Sequence, residues 1–406
     1  MANSRKDHKG RKLKEGESWR SDGRYSYRYT DIRTGKRLTV YAMDLPELRE
    51  KEKQIARDME DNILTDGAVK KLTLNELFEQ YMNTRELADS TRRNYIKIWN
   101  NHVKDDIGNS KVVLIRSSHV KAFYVKLSRA GYANATIKYI HNMLCPALEM
   151  AVEDDIIRKN PAKGSIRDYG RPAEERFALT KSQQEKIFEF VKGHNIYNVY
   201  YPMLTIMINT GLRCGELIGL TWRDVDIKAK TIRIDHQLIY KNLGDGCRFH
   251  VTDPKSDAGF RTIPMTQAVR KAIEEQRKIN FMFGKGKDFE VDGYRGFVFT
   301  AKTGRPLMPS AVNKVLYNIV DAYNKEEVKA VKKEHRRAEL LPKFSAHILR
   351  HTACTRMAEH RMDMKVLQYI MGHSNIDVTM EVYNHLGDGE RIEKEMEKLD
   401  SMVMNF

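Results

Sequence analysis

The sequence predicts a multidomain α+β protein. A small sheet backed by a helix comes first, then an all-α four-helix block, then a mixed, mainly helical block with short strands. Three observations carry this. Period-two alternation is confined to residues 24–41 and to short runs after residue 230. Helical spacing fills 73–153, with no convincing strand before residue 165. A Gly-, Pro- and charge-rich stretch at 159–176 then reads as a linker. The boundaries read as 1–72, 73–165 and 175–406, and 406 residues suit about two to three domains.

The first block alternates in RYSYRYT (24–30), with Arg24, Ser26, Arg28 and Thr30 on one side and Tyr25, Tyr27 and Tyr29 on the other. A turn-like DIRTG leads into KRLTVYA, which completes a hairpin. Asp44, Pro46 and Glu47 then open a helix over 46–63, with Leu48, Ile55, Met59 and Ile63 as its apolar face. The tyrosine side should pack on this helix. The face holding Arg24, Arg28, Arg37, Thr30, Thr39 and Tyr41 is either a solvated surface or a ribbon narrow enough for a DNA major groove, and the alternation of arginine with hydroxyl side chains favours DNA. The basic leader, Arg5–Lys14, should add salt-sensitive attraction to phosphates.

In the second block TLNE at 73–76 is a capping box, and helices are expected over 90–104 and 117–130. A further helix from Ala135 carries Ile137, Ile140, Leu144, Leu148 and Val152, and Pro146 should kink or divide it. Thr91, Arg92, Arg93, Lys97 and Lys138 form basic and polar clusters that suit a solvated face or a DNA contact, Arg92 and Arg93 being the candidates for contact. The third block offers short strands at TIRID (231–235), in a ribbon through 238–252, at FRTIPM (260–265) and at FVFT (297–300). Residues 324–339 are highly charged and read as a solvated excursion.

Composition narrows the function. With 41% hydrophobic and 31% charged residues the chain is not disordered throughout, and four scattered cysteines exclude a disulfide scaffold. There are 71 Lys/Arg against 55 Asp/Glu, a net +16, and residues 1–41 alone hold twelve basic against five acidic side chains. Such a surplus points to a polyanion, nucleic acid before an acidic membrane surface. The opening MANSRKDHKGRKLK lacks the apolar core of a secretory signal. The uncharged run Gly193–Leu212 is too interrupted by polar residues to span a bilayer and reads as a buried helix, so a cytoplasmic protein is expected.

No GxxxxGK[ST], GxGxxG or GxSxG motif is present. His347 and His351 have a zinc-compatible spacing but no third ligand nearby in sequence, which makes a metal there the lesser reading. The third block instead collects other chemistry. TGLRCGEL supplies Arg213 and Glu216, PKSDAGFRTIP supplies Lys255, FSAHILRHTACTRMAE stacks His347, Arg350 and His351, LQYIMGHSN holds His373, and TMEVYNH holds Tyr383. Two arginine forks can neutralise a phosphodiester in transit, a tyrosine can attack phosphorus, an imidazole can take its proton, and a lysine can protonate the leaving oxygen.

This ordered set resembles the tyrosine recombinase (phage-type integrase) family, most of all the integrases of conjugative transposons. The resemblance extends over the whole chain. It implies an arm-type DNA-binding domain with a three-stranded sheet, a helical core-binding domain and a C-terminal catalytic domain. It implies that Arg213 and Arg350 clamp the scissile phosphate, with Glu216 as acidic support. Lys255 would be the general acid, with Lys241 as a nearby competitor. His347 would be the acid/base histidine, His373 a hydrogen-bonding partner of the phosphate and Tyr383 the nucleophile, while His351 stays structural. It also implies site-specific recombination through a 3′-phosphotyrosine, without metal or nucleotide cofactor. The implied partners are double-stranded DNA at arm and crossover sites, a homotetramer on synapsed DNA, and accessory DNA-bending or excision factors as candidates. The implied setting is a bacterial cytoplasm, with the protein on the nucleoid when DNA-bound. The residues after Tyr383 could dock on a neighbouring subunit or on their own domain. The rival readings are a type IB topoisomerase and a non-catalytic DNA-binding regulator.

Overall fold

A computed structural model describes residues 5–31, 35–60, 71–164, 169–172, 177–282 and 289–384. The chain divides into two compact units, Met1–Glu174 and Glu175–Phe406, and belongs to the α+β class.

The first unit opens with an antiparallel sheet in the order β1 (Glu17–Trp19), β2 (Tyr25–Thr30), β3 (Arg37–Ala42). Its register pairs Ser26 with Tyr41, Arg28 with Thr39 and Thr30 with Arg37. Strand β1 was not visible as a residue pattern, because its three residues are too few to show alternation. Helix α1 (Leu45–Glu60) starts where Asp44 accepts from the Glu47 N–H at 2.8 Å. Tyr25, Leu45 and Leu48 are buried together with Leu13 and Ala42, and Tyr27 packs against them. The helix departs from expectation in its last turns, where Asp58 is buried and receives Arg158 at 2.9 Å. Ile63 lies outside the described residues. The leader is not a loose basic tail. Asp7 is buried and accepts from the N–H groups of Lys9 and Arg11, from Arg11 Nε and from the Tyr25 hydroxyl. These bonds fold residues 5–14 onto the sheet and commit Arg11.

A second apolar core lies among α2 (Leu74–Asn83), α3 (Asp89–His102), α4 (Ser117–Arg129) and α5 (Asn134–Glu153). The capping box at Thr73 and Glu76 forms, and Phe78 stacks on Trp99 with ring centroids 3.8 Å apart. Pro146 does not divide α5, which runs unbroken for 20 residues. The start of the expected linker is also packed: Asn160 is buried and bonds the Cys145 carbonyl at 2.9 Å, and Tyr169 meets the Tyr124 ring.

The second unit continues with α6 (Lys181–Gly193), α7 (Tyr201–Thr210) and α8 (Cys214–Gly219). Next come β4 (Val225–Asp226) and β5 (Thr231–Ile234), then the ribbon β6 (Gln237–Asn242) and β7 (Cys247–Thr252), then β8 (Arg261–Pro264). Helices α9 (Gln267–Met282), α10 (Pro309–Glu334), α11 (Ala346–Glu359), α12 (Met364–Met371) and α13 (Asp377–Asn384) follow. The sheet order is β4-β5-β8, beside the separate β6-β7 ribbon. Helix α7 is buried on nearly every face, as its uncharged sequence required, and it packs with α9 and α11 in the main core. Two expectations fail. FVFT is no strand: Phe297, Val298 and Phe299 are buried, and only single bridges form, from Phe297 to Thr221 and from Thr300 to Pro306. The charged stretch at 324–339 is mostly the end of α10, because Glu327 is buried against Arg336 and Asn324 bonds the Leu341 backbone at both ends.

Candidate active site

The site is organised by one helix end. Helix α12 stops at Gly372, whose φ of +60° is the left-handed conformation that closes helices. The last carbonyls of a helix lack internal partners and carry partial negative charge. Here three arginines from distant segments take three consecutive ones. Arg261 Nε donates to the Ile370 carbonyl at 2.7 Å, Arg350 Nη2 donates to Met371, and Arg213 Nη2 donates to Gly372 at 2.6 Å.

Each arginine reaches this point by local design. Gly211 ends α7 in the left-handed conformation (φ +62°), and the chain turns at once so that Arg213 caps α8. Glu216, three residues on, accepts the Arg213 backbone N–H at 2.9 Å and Nη1 at 2.7 Å. On α11, Ala346, Leu349 and Ala353 make a core stripe, and Arg350 sits within it, 5% exposed. Its Nη1 donates to the Gly211 carbonyl at 2.6 Å. Two of the five guanidinium donors are thus aimed by backbone, which fixes the plane of the fork.

Arg261 is the member that sequence reasoning missed. Its side chain is fully buried and forks Glu216, Nη2 to Oε2 at 2.8 Å and Nη1 to Oε1 at 3.2 Å. A signal existed: β8 alternates, and Arg261 is in phase with buried Ile263 and Met265.

Two guanidiniums therefore hold one carboxylate, and a third, that of Arg350, bonds the same helix end. Burial alone would push the Glu216 carboxyl up, but its hydrogen bonds with Arg261 and the charges of both arginines hold it down at about 2. The surplus positive charge shows at its neighbours. Burial, then the charge of Arg213, lowers Arg350 to about 9. Burial and the charges of Arg350, Arg213 and Arg261 lower His373 to about 4, so its ring is neutral at pH 7. His373 follows Gly372 directly, and its Nδ1 lies 2.9 Å from the hydroxyl of buried Thr379 on α13. Such a site is preorganised for an anion.

The fold brings Arg213, Glu216, Arg350 and His373 together at the end of α12. His347 is exposed, one turn before Arg350 on the same helix. Lys255 is exposed on the loop after β7, three residues before Ala258, whose carbonyl would lie 3.0 Å from a Cβ added at Gly372. Lys241 stands instead on the ribbon opposite Arg248. Residue 383 belongs to α13, one turn beyond Thr379, and the Tyr383 side chain lies outside the described part. His351 is half-buried on α11.

In the first unit Arg28 and Arg37 are exposed on the sheet face. Arg24 lies just before β2, pairs with Asp22 at 2.8 Å and stacks over exposed Tyr41, with Arg20 also over that ring. Arg92 donates to Asn83 at 3.3 Å and, like Arg93, is half-buried on α3. Among the described residues, Asp224, Asp235 and His236 have the proximity of a metal site. Their polar atoms are already engaged, by Thr221, by Arg233 and by the Gly219 carbonyl. The described residues include no helix long and apolar enough to cross a membrane.

Residues 178–390 match the phage integrase family, residues 1–59 the DNA-binding domain of Tn916 integrase, and residues 73–128 the phage integrase N-terminal SAM-like domain. The transposases of Tn916 from Enterococcus faecalis and of Tn1545 from Streptococcus pneumoniae are each 32% identical, covering 98% of this chain and 99% of theirs. The Tn1549 transposon integrase, solved in complex with a circular intermediate DNA, is 31% identical with a TM-score of 0.71, over 80% of this chain and 99% of that one. The chain belongs to the phage integrase family, the tyrosine recombinases. It is a site-specific DNA recombinase of the conjugative-transposon type.

Proposed function

We propose that this recombinase cuts and rejoins DNA through a covalent link to Tyr383. The observation that carries the reading is the gathering of three guanidiniums and a neutral histidine around one helix end with a single carboxylate among them. Arg213 and Arg350 hold the non-bridging oxygens of the scissile phosphate, and charge developing there meets fixed donors. The Tyr383 oxygen bonds to phosphorus while the bond to the 5′ oxygen breaks. The phenolic proton passes to His347, and Lys255 gives its proton to the departing 5′ oxygen. His373 donates a hydrogen bond to the phosphate from Nε2, with Nδ1 accepting from the Thr379 hydroxyl. A 5′ hydroxyl of a second duplex then attacks the 3′-phosphotyrosine and restores the phosphodiester. One bond is exchanged for another at each step, which conserves the energy of the link.

In this reading residues 1–72 hold arm DNA, 73–165 grip the crossover region and 175–406 carry the chemistry. Arg28, Arg37, Tyr41 and Arg24 contribute to the first contact, and Arg92 and Arg93 to the second. Exchange between two duplexes requires four active sites and hence a tetramer on DNA, acting in the cytoplasm, with DNA-bending or excision factors setting direction. The Tn1549 relative, solved with circular intermediate DNA and with transposon right end DNA, supports an element end as the substrate. The test is Tyr383→Phe on a nicked crossover oligonucleotide. Binding should persist while protein-linked DNA disappears from a denaturing gel; an adduct from this variant would overturn the assignment.

A further inference from the structure

We propose that Arg261 is a positioning residue for this reaction, holding Glu216 and the end of α12 in one frame and so fixing Arg213 relative to His373. The inference rests on the active-site reading given above and goes beyond it.

The geometry is unusual for a strand residue. Arg261 lies on β8, an edge strand of its sheet, yet its side chain is fully buried. Its donors are directed to three segments: Glu216 on α8, the Ile370 carbonyl on α12, and the Gly259 carbonyl in the loop that follows Lys255. Glu216 is clamped from both sides. Oε1 accepts from Arg213 Nη1 and Arg261 Nη1, and Oε2 accepts from the Arg213 N–H and Arg261 Nη2. A carboxylate has about four lone-pair sites, and these four bonds fill them. Rotation of Glu216 is thereby blocked, and Arg213 is aimed by a partner that cannot turn. The Ile370 bond ties the same guanidinium to the helix end two residues before Gly372, where Arg213 lands, and three before His373. Gly372 leaves the necessary room, since a Cβ there would lie 2.9 Å from Arg261 Nη1.

A buried ion pair is weak evidence for stability, because apolar groups of equal volume are often as stable. What Arg261 supplies here is orientation, and misplacing a reacting group by about 1 Å can cost about a hundredfold in rate.

The experiment uses the full chain with Arg261→Gln and Arg261→Lys. It reads thermal melting, affinity for the crossover oligonucleotide, and cleavage rate on a nicked substrate from acid to neutral pH. Arg261→Gln should bind DNA nearly as the unchanged protein does and cleave about a hundredfold more slowly. Its rate should also acquire an acid limb. Glu216 is faced by Arg213 from α8, Arg261 from β8, Arg350 from α11 and His373 after α12; without Arg261 its carboxyl rises, protonates as the pH falls, and releases Arg213. Arg261→Lys keeps the charge but not the fork, so it should stay folded, cleave slowly and show a weaker acid limb. Should Arg261→Gln fail to fold, Arg261→Lys decides alone. Cleavage at the unchanged rate, or a loss that tracks unfolding with an unaltered pH profile, overturns the inference. Absence of any adduct from the unchanged protein would overturn the active-site reading and this inference with it, and is distinguishable because it needs no variant.

Discussion

Arg350 donates to the carbonyl of Gly211 at 2.6 Å, across 139 residues of sequence. That bond joins the second arginine of the site to the turn that presents the first. Gly211 can serve because its φ of +62° costs it nothing, and because no side chain stands between it and α12.

Gly211→Ala should therefore be harmful out of proportion to one methyl. The added Cβ would meet Met371 Sδ at 2.5 Å and would occupy a left-handed conformation. A loss of about 1–3 kcal/mol in urea unfolding is expected, with slower cleavage as the carbonyl turns away from Arg350. Unaltered stability and rate would show the turn to be tolerant.

Arg213→Lys keeps a charge but cannot reach Glu216, Gly372 and a phosphate with one planar fork. The rate should fall by roughly 2.7–4 kcal/mol in barrier, the scale for one oxyanion donor, with little change in affinity. Cleavage by the unchanged protein should survive excess chelator, since guanidiniums carry the charge neutralisation. A strict requirement for magnesium or zinc would contradict this mechanism.

Two buried groups make the second unit acid-sensitive with the same sign. Glu216 is held at about 2, below its unfolded value of about 4.3, so its contribution is present above that value and lost as pH falls towards 2. His373 is lowered to about 4 from roughly 6.5, so the unfolded chain binds the extra proton between those values and stability rises with pH across them. Denaturant midpoints against pH should lose the upper slope in His373→Gln and the lower one in Glu216→Gln. An NMR titration of His373 with a midpoint near neutrality would refute the first assignment.

Removing residues 1–72 should leave cleavage of a crossover oligonucleotide intact while weakening recombination of full attachment sites, because linking two modest binders makes the second contact intramolecular. The isolated sheet and helix should protect different DNA from that protected by 73–406. Identical footprints would remove the case for two readers. Because the exposed Arg24 is already paired with Asp22 and stacked on Tyr41, whereas Arg28 and Arg37 have no ion pair among the described residues, Arg28→Ala should cost more arm affinity than Arg24→Ala.

The sequence by itself determined the class of fold, the helices of the first unit and the buried run of α7. Helical periodicity, the capping box at Thr73 and the uncharged run through α7 are local facts, written in neighbouring residues. Local signals failed where long-range packing decides. FVFT has strand composition but finds no ladder, α5 runs on past Pro146 without dividing there, and the charged end of α10 stays helical because Glu327 meets Arg336. The arrangement of the site belongs wholly to the tertiary structure. Nothing near Arg213, Arg261 or Arg350 in the chain says that all three will end on successive carbonyls of α12. Only an arginine in phase with an apolar stripe hints at it, and that hint names no partner. A buried cation must find an acceptor, and which acceptor it finds depends on how distant segments close around it.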